Sequence, residues 1–113
     1  MTDEWMIELA GKAIGYEKAV YPHDIWYSWN PLVENSDAFK LLCKLEMTII
    51  FNNRPYMTEY SDRNGPIDHK FAVHVLNNKG SELLGIQYYT EDDKMEKTRL
   101  AITQAAAKFG ERL

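Results

Sequence analysis

The chain has 113 residues, 45% of them hydrophobic and 27% charged, with 3 Trp, 7 Tyr and 4 Phe. That is the size of a single domain able to bury a core of its own, and the aromatic content excludes a disordered tail. Thirteen basic against 17 acidic residues give a net charge of −4, which disfavours a duplex nucleic-acid binder and a protein docked on anionic lipid.

Residues 3–15 predict a helix. Met6, Leu9, Ala10, Ala13 and Ile14 fall at i, i+3, i+4, i+7 and i+8 and make one apolar stripe. Thr2 is placed to cap it, Asp3 and Glu4 suit the positive end of its dipole, and Gly15 suits its end. Residues 16–31 are aromatic and irregular, with Tyr16, Tyr21, Trp26, Tyr27 and Trp29. Pro22 breaks any helix there, and Ile25, Tyr27 and Trp29 allow a short strand over 25–29 that Asn30-Pro31 would end.

A second helix is predicted over 36–45. Ala38, Leu41, Leu42 and Leu45 form its stripe, widened by Phe39 and Cys43, with Asn35 or Ser36 as cap and Asp37 in the first turn. Three strands follow, over 47–51, 70–76 and 83–89. Asn77-Asn78-Lys79-Gly80 is turn chemistry, so the last two should pair as an antiparallel hairpin. Residues 52–69 hold Pro55, Pro66 and Asn64-Gly65 and read as a long loop. The last helix spans 92–109. Met95, Thr98, Ile102, Ala105, Ala106 and Phe109 mark its buried side, Thr90 and Asp93 approximate a capping box, and Gly110 ends it. Elements grouped in this way favour an α+β fold with a mainly antiparallel sheet and helices packed on it.

Trp29-Asn30-Pro31-Leu32 precedes a helix that opens with Asp37-Ala38-Phe39 and continues to Lys44-Leu45. The chain ends with Thr98-Arg99-Leu100-Ala101-Ile102, then Ala105-Ala106-Ala107 and Phe109-Gly110. In this order, over roughly residues 26–110, these segments resemble the phage ABA sandwich domain of small bacteriophage and prophage proteins. The resemblance implies an α/β/α sandwich-like fold and a phage or prophage origin, hence a bacterial host cytosol. It brings no established activity and no catalytic residues. Glu46 stands where that family often has a glycine before the strand.

Candidate sites are few. His23, His69 and His74 lack the matched spacing of a zinc site, so no metal and no cofactor is expected. Cys43, on the apolar stripe, reads as a buried core thiol, and a single cysteine cannot form an intrachain disulfide. Glu91-Asp92-Asp93 sits at a helix start, where acids are favoured without a ligand. Phosphate-binding and hydrolase signatures do not occur. Trp29, Asn30 and Pro31 read as structural, Trp29 being a core anchor behind the turn. Arg54, Tyr56, Tyr60, Asp62 and Arg63, in the long loop, are the candidate partner-binding residues, because binding groups concentrate on loops carried by rigid scaffolds. The acidic start, unlike a signal peptide, and the lack of an apolar run of ~20 residues predict a cytosolic chain with no membrane partner.

The reading that follows is a non-enzymatic accessory protein that binds a protein partner, without strong nucleic-acid binding and with homo-oligomers left open. A host-takeover or anti-defence role is the analogy suggested by the resemblance. One alternative is a small-ligand or nucleotide-binding protein, with a pocket from Trp26, Tyr27, Tyr56 or Tyr60 and a phosphate contact from Arg54 or Arg63. Another is an enzyme of unrecognised kind.

Overall fold

The computed structural model describes residues 2–15, 29–52 and 71–113. They form α1 (Asp3–Ala13), α2 (Asn35–Lys44), β1 (Thr48–Asn52), β2 (Phe71–Leu76), β3 (Leu83–Tyr89) and α3 (Lys94–Glu111). The fold is the expected α+β arrangement: an antiparallel sheet in the order β1-β2-β3 with helices packed on it. The expected strand over 25–29 lies outside the described residues except for Trp29, as do Tyr16, Tyr21, Trp26 and Tyr27.

Register divides the sheet into two faces. Ile49, Val75 and Gly85 stand side by side, then Phe51, Val73 and Gln87, then Phe71 and Tyr89. This is the face that meets α3. The opposite face carries Ile50, His74 and Ile86 in one row and Asn52, Ala72 and Tyr88 in the next. A bulge between Val75 and Leu76 lets Leu84 be buried beside Gly85. The hairpin turn is closed as its residues predict: the Asn77 side chain accepts from the Ser81 N–H at 2.9 Å, and Gly80 adopts φ +69°.

Helix α3 is the central element. Its small residues Ala101, Ala105, Ala106 and Ala107 are all buried, so its backbone lies close to β3 on one side and α1 on another. Gln104 accepts from the Gln87 amide at 2.9 Å, which fixes the helix along β3. Residues from all six elements share one core, in which Leu41, Val73, Val75 and Leu84 are fully enclosed. Gly110 does not end α3 as expected. It lies inside the helix, buried against the Leu9 backbone, because this glycine serves close approach rather than a turn. Arg112, past the helix end, forms a bidentate pair with Glu82 and holds its carboxyl below the usual range. Both groups are half exposed, so solvent screening leaves the pair a small contribution to stability.

The helix starts follow chemistry only partly foreseen. The Thr2 hydroxyl accepts from the Trp5 N–H at 3.2 Å and caps α1 as expected. For α2 the cap residue is Glu34, with no side-chain bond, rather than Asn35 or Ser36. Asn35 is engaged elsewhere, by Arg99. Asp37 instead accepts from the Asn30 N–H at 2.8 Å and locks the Asn30-Pro31 turn onto the first turn of α2. Helix α3 begins at Lys94, and Asp93 reaches back to the Thr90 N–H at 2.6 Å, one half of a capping box.

Helix α2 ends in a Schellman motif. The Met47 N–H donates to Leu42 C=O and the Glu46 N–H to Cys43 C=O, with Glu46 at φ 51°. A left-handed backbone costs a residue with a Cβ about 1–2 kcal/mol. Glu46→Gly is therefore expected to stabilise the chain by about 0.5–1 kcal/mol, after the entropy that glycine adds to the unfolded state. Urea unfolding checks this. A lowered midpoint would mean that the Glu46 side chain makes a compensating contact.

Candidate functional site

One side of α2 is not used for the core. Ala38 and Leu41 point inward, i and i+3 on the narrow stripe that packs on α3. Phe39 and Cys43, four residues apart, lie together on the open side. Phe39 is 63% exposed, and Cys43 is exposed rather than the expected buried thiol. The physical reason is geometric. Apolar residues span more of the helix circumference than one packing stripe covers, so the excess faces outward.

The same excess appears on the two neighbouring elements. On α3, Met95, Thr98, Arg99 and Ile102 recur at i, i+3, i+4 and i+7 and face α2 and β1. Met95, expected on the buried side, is 58% exposed, because it sits in the first turn of α3 and lines the open groove rather than the core. On β1, Ile49 and Phe51 stand two residues apart on the helix-facing side at the end of the sheet, and Phe51 is 39% exposed. Between these elements runs a groove of about 480 Å³, open along one side, lined also by Asn35, Ser36, Ala38 and Leu42. Its solvent-facing lining is almost wholly apolar.

The polar groups sit at the margins. Arg99 donates from Nε to Leu32 C=O at 2.8 Å and from Nη1 to Asn35 Oδ1 at 2.7 Å, tying the segment before α2 to α3. The Lys94 ammonium lies 4.8 Å from the centroid of Phe51 and 5.5 Å from that of Tyr89. Tyr89 is itself buried against Phe51 and Phe71, and burial pushes its hydroxyl pKa up. The Thr98 hydroxyl donates to Lys94 C=O at 2.7 Å and is thereby occupied. Among the described residues the groove lining contains no Cys, His, Asp, Glu, Lys or Tyr. It offers a surface for apolar contact with a cationic margin and no acid–base pair.

The residues expected to bind a partner, Arg54, Tyr56, Tyr60, Asp62 and Arg63, lie outside the described residues, as do His23 and His69. Trp29 is 4% exposed within the core, Pro31 is buried, and the Asn30 side chain accepts from the Leu32 N–H at 3.0 Å to close the turn. His74 stands half-buried on the opposite sheet face, between Ile50 and Ile86. Among the described residues no cluster of three or more His, Cys, Asp or Glu is arranged to hold a metal, and no helix is long and apolar enough to cross a membrane.

The groove residues Phe39, Phe51, Met95 and Arg99 escape a reading of one element at a time. Each apolar stripe, taken alone, looks like core. What could have revealed them is the summed width of the stripe on α2, where Ala38, Phe39, Leu41, Leu42, Cys43 and Leu45 exceed one packing face. No family model, curated protein or solved structure matches the chain.

Proposed function

We propose that this chain is a non-enzymatic binding protein that docks a protein partner in the open groove between α2, β1 and α3. The observation that carries this reading is the convergence of three large, exposed apolar side chains, Phe39, Phe51 and Met95, from three elements onto one groove. Apolar surface gathered in this way marks interaction sites, whereas scattered exposed residues do not. Methionine at a rim adapts to the shape of a partner. A small-ligand site would enclose most of its ligand, and this groove is open along its length. Among the described residues its lining carries Arg99 but no acid–base pair, which supports binding over chemistry. The net charge of −4 favours a protein over a nucleic acid. The motif resemblance to the phage ABA sandwich domain supports a phage or prophage accessory role in the bacterial cytosol, of the host-takeover or anti-defence type.

The test is affinity capture from phage-infected bacteria, identification by mass spectrometry and reconstitution with purified partner. Phe39→Glu places a charge on an exposed site and should leave the fold intact. It should weaken binding by about tenfold or more, as loss of a hot-spot aromatic does. Ile50→Thr, on the opposite sheet face, should bind as the parent does. Undiminished binding by Phe39→Glu would overturn the proposal.

A further inference from the structure

We infer that the segment bound in this groove is acidic as well as apolar: a stretch of protein whose apolar anchors are flanked by an Asp or Glu carboxylate that meets Arg99. The inference rests on the docking reading and adds the chemistry of the partner. The carrying observation is a local reversal of charge. The chain as a whole has 17 acidic residues against 13 basic ones, yet among the described residues the one ionised group lining the groove is Arg99. Glu34 and Asp37, adjacent in sequence to the groove residues Asn35, Ser36 and Ala38, and Asp93 and Glu96, which flank Lys94 and Met95, do not line the groove, and the Asp37 carboxylate is engaged by the Asn30 N–H.

Arg99 is held for such a role. Leu32 C=O and Asn35 Oδ1 fix its guanidinium by two hydrogen bonds, and both acceptors are neutral, so neither bond compensates its charge. Further N–H groups on Nη1 and Nη2 remain to donate to a carboxylate, the geometry for which a guanidinium is best suited. Holding the side chain in advance lowers the entropy lost on binding. Lys94, beside Phe51 at the far margin, brings another ammonium, although it shares its cavity with Glu91, so the charge of the groove rests on Arg99. A partner segment with basic residues at these places would be repelled, and a wholly apolar one would leave Arg99 without a counter-charge.

The experiment pans a displayed library of random peptides on the purified protein and synthesises the recovered sequences. The expected sequences combine bulky apolar residues with Asp or Glu, and their affinity falls about tenfold on Phe39→Glu. Changing the peptide carboxylate to its amide should weaken binding about tenfold to the parent and little to Arg99→Gln. Because Arg99→Gln also loosens the segment before α2, the parent protein supplies an independent readout. Salt should weaken the acidic peptide and leave its amide form nearly unchanged.

Recovered peptides without acidic enrichment, or an amide change without effect, would overturn this inference while the groove reading stands. Peptides indifferent to Phe39→Glu would overturn the groove reading itself. No recovered peptide, with dodecanoate binding in its place, would make the occupant a small amphiphile and overturn both. Self-association lost on Phe39→Glu would make it a second copy of the chain and overturn the acidic segment.

Discussion

Gly110→Ala is expected to cost about 3 kcal/mol or more and to detach α1 from α3. The same change in the interior of an exposed helix stabilises by about 0.5–1 kcal/mol, because alanine has less backbone freedom to lose. Here the sign reverses. A Cβ on Gly110 would overlap the carbonyl oxygen of Leu9 and lie 2.7 Å from its carbonyl carbon. These are backbone atoms inside α1, so no side-chain rotation relieves them, and the helices must separate. Their separation opens the contact that buries Met6 and Leu9 against Ala107. Gly85→Ala tests the same physics on the other side of α3, where a Cβ would overlap Ala101 C=O and stand 3.3 Å from the Ala105 nitrogen. Urea unfolding with amide exchange on α1 reads both effects. An unchanged or raised midpoint for Gly110→Ala would show that α1 does not dock there.

Trp29→Ala should cost about 3–5 kcal/mol, through lost transfer energy and the cavity left behind. At about 4–8 °C per kcal/mol for a domain of this size, the melting temperature should drop by roughly 12–40 °C. Trp29 is 4% exposed and packs in the same cluster as Leu41, Val73 and Ala105. It also anchors the segment that reaches the groove. Behind it Asn30 and Asp37 close the turn, and Leu32 and Asn35 hold Arg99. The substitution should therefore disturb the groove margin as well as the core, and Trp29→Phe, which refills most of the volume, should restore much of both. A melting temperature within a few degrees of the parent would place Trp29 outside the core.

The elements were legible because their local chemistry agrees with their packing. Phe71, Val73 and Val75 alternate with Ala72, His74 and Leu76 in a strand, and Asn77 through Gly80 cannot be anything but a turn between β2 and β3. The run Ala105-Ala106-Ala107 announced a helix with close neighbours. What was not legible depends on which neighbour an element meets. Periodicity shows that α2 has an apolar side but not how wide a contact α3 offers it, so Phe39 and Cys43 were assigned to the core. Gly110 carries the signature of a helix end, and only the position of α1 makes it a contact residue. Asn35 has a capping side chain, but Arg99, 64 residues away, competes for it. The groove is a product of three such tertiary choices, and no single segment contains its pattern.

The most direct test of the account is the affinity of the reconstituted partner for three forms of the chain, measured by calorimetry: the parent, Phe39→Glu, and a chain in which residues 56–64 are replaced by a short Gly/Ser turn. The account predicts that Phe39→Glu weakens binding by about tenfold or more with an unchanged melting temperature. The third form separates the groove from Tyr56, Tyr60, Asp62 and Arg63, four of the five residues, with Arg54, that sequence alone put forward. Full affinity for Phe39→Glu, with binding lost only when 56–64 is replaced, would contradict the account and move the binding site to that segment.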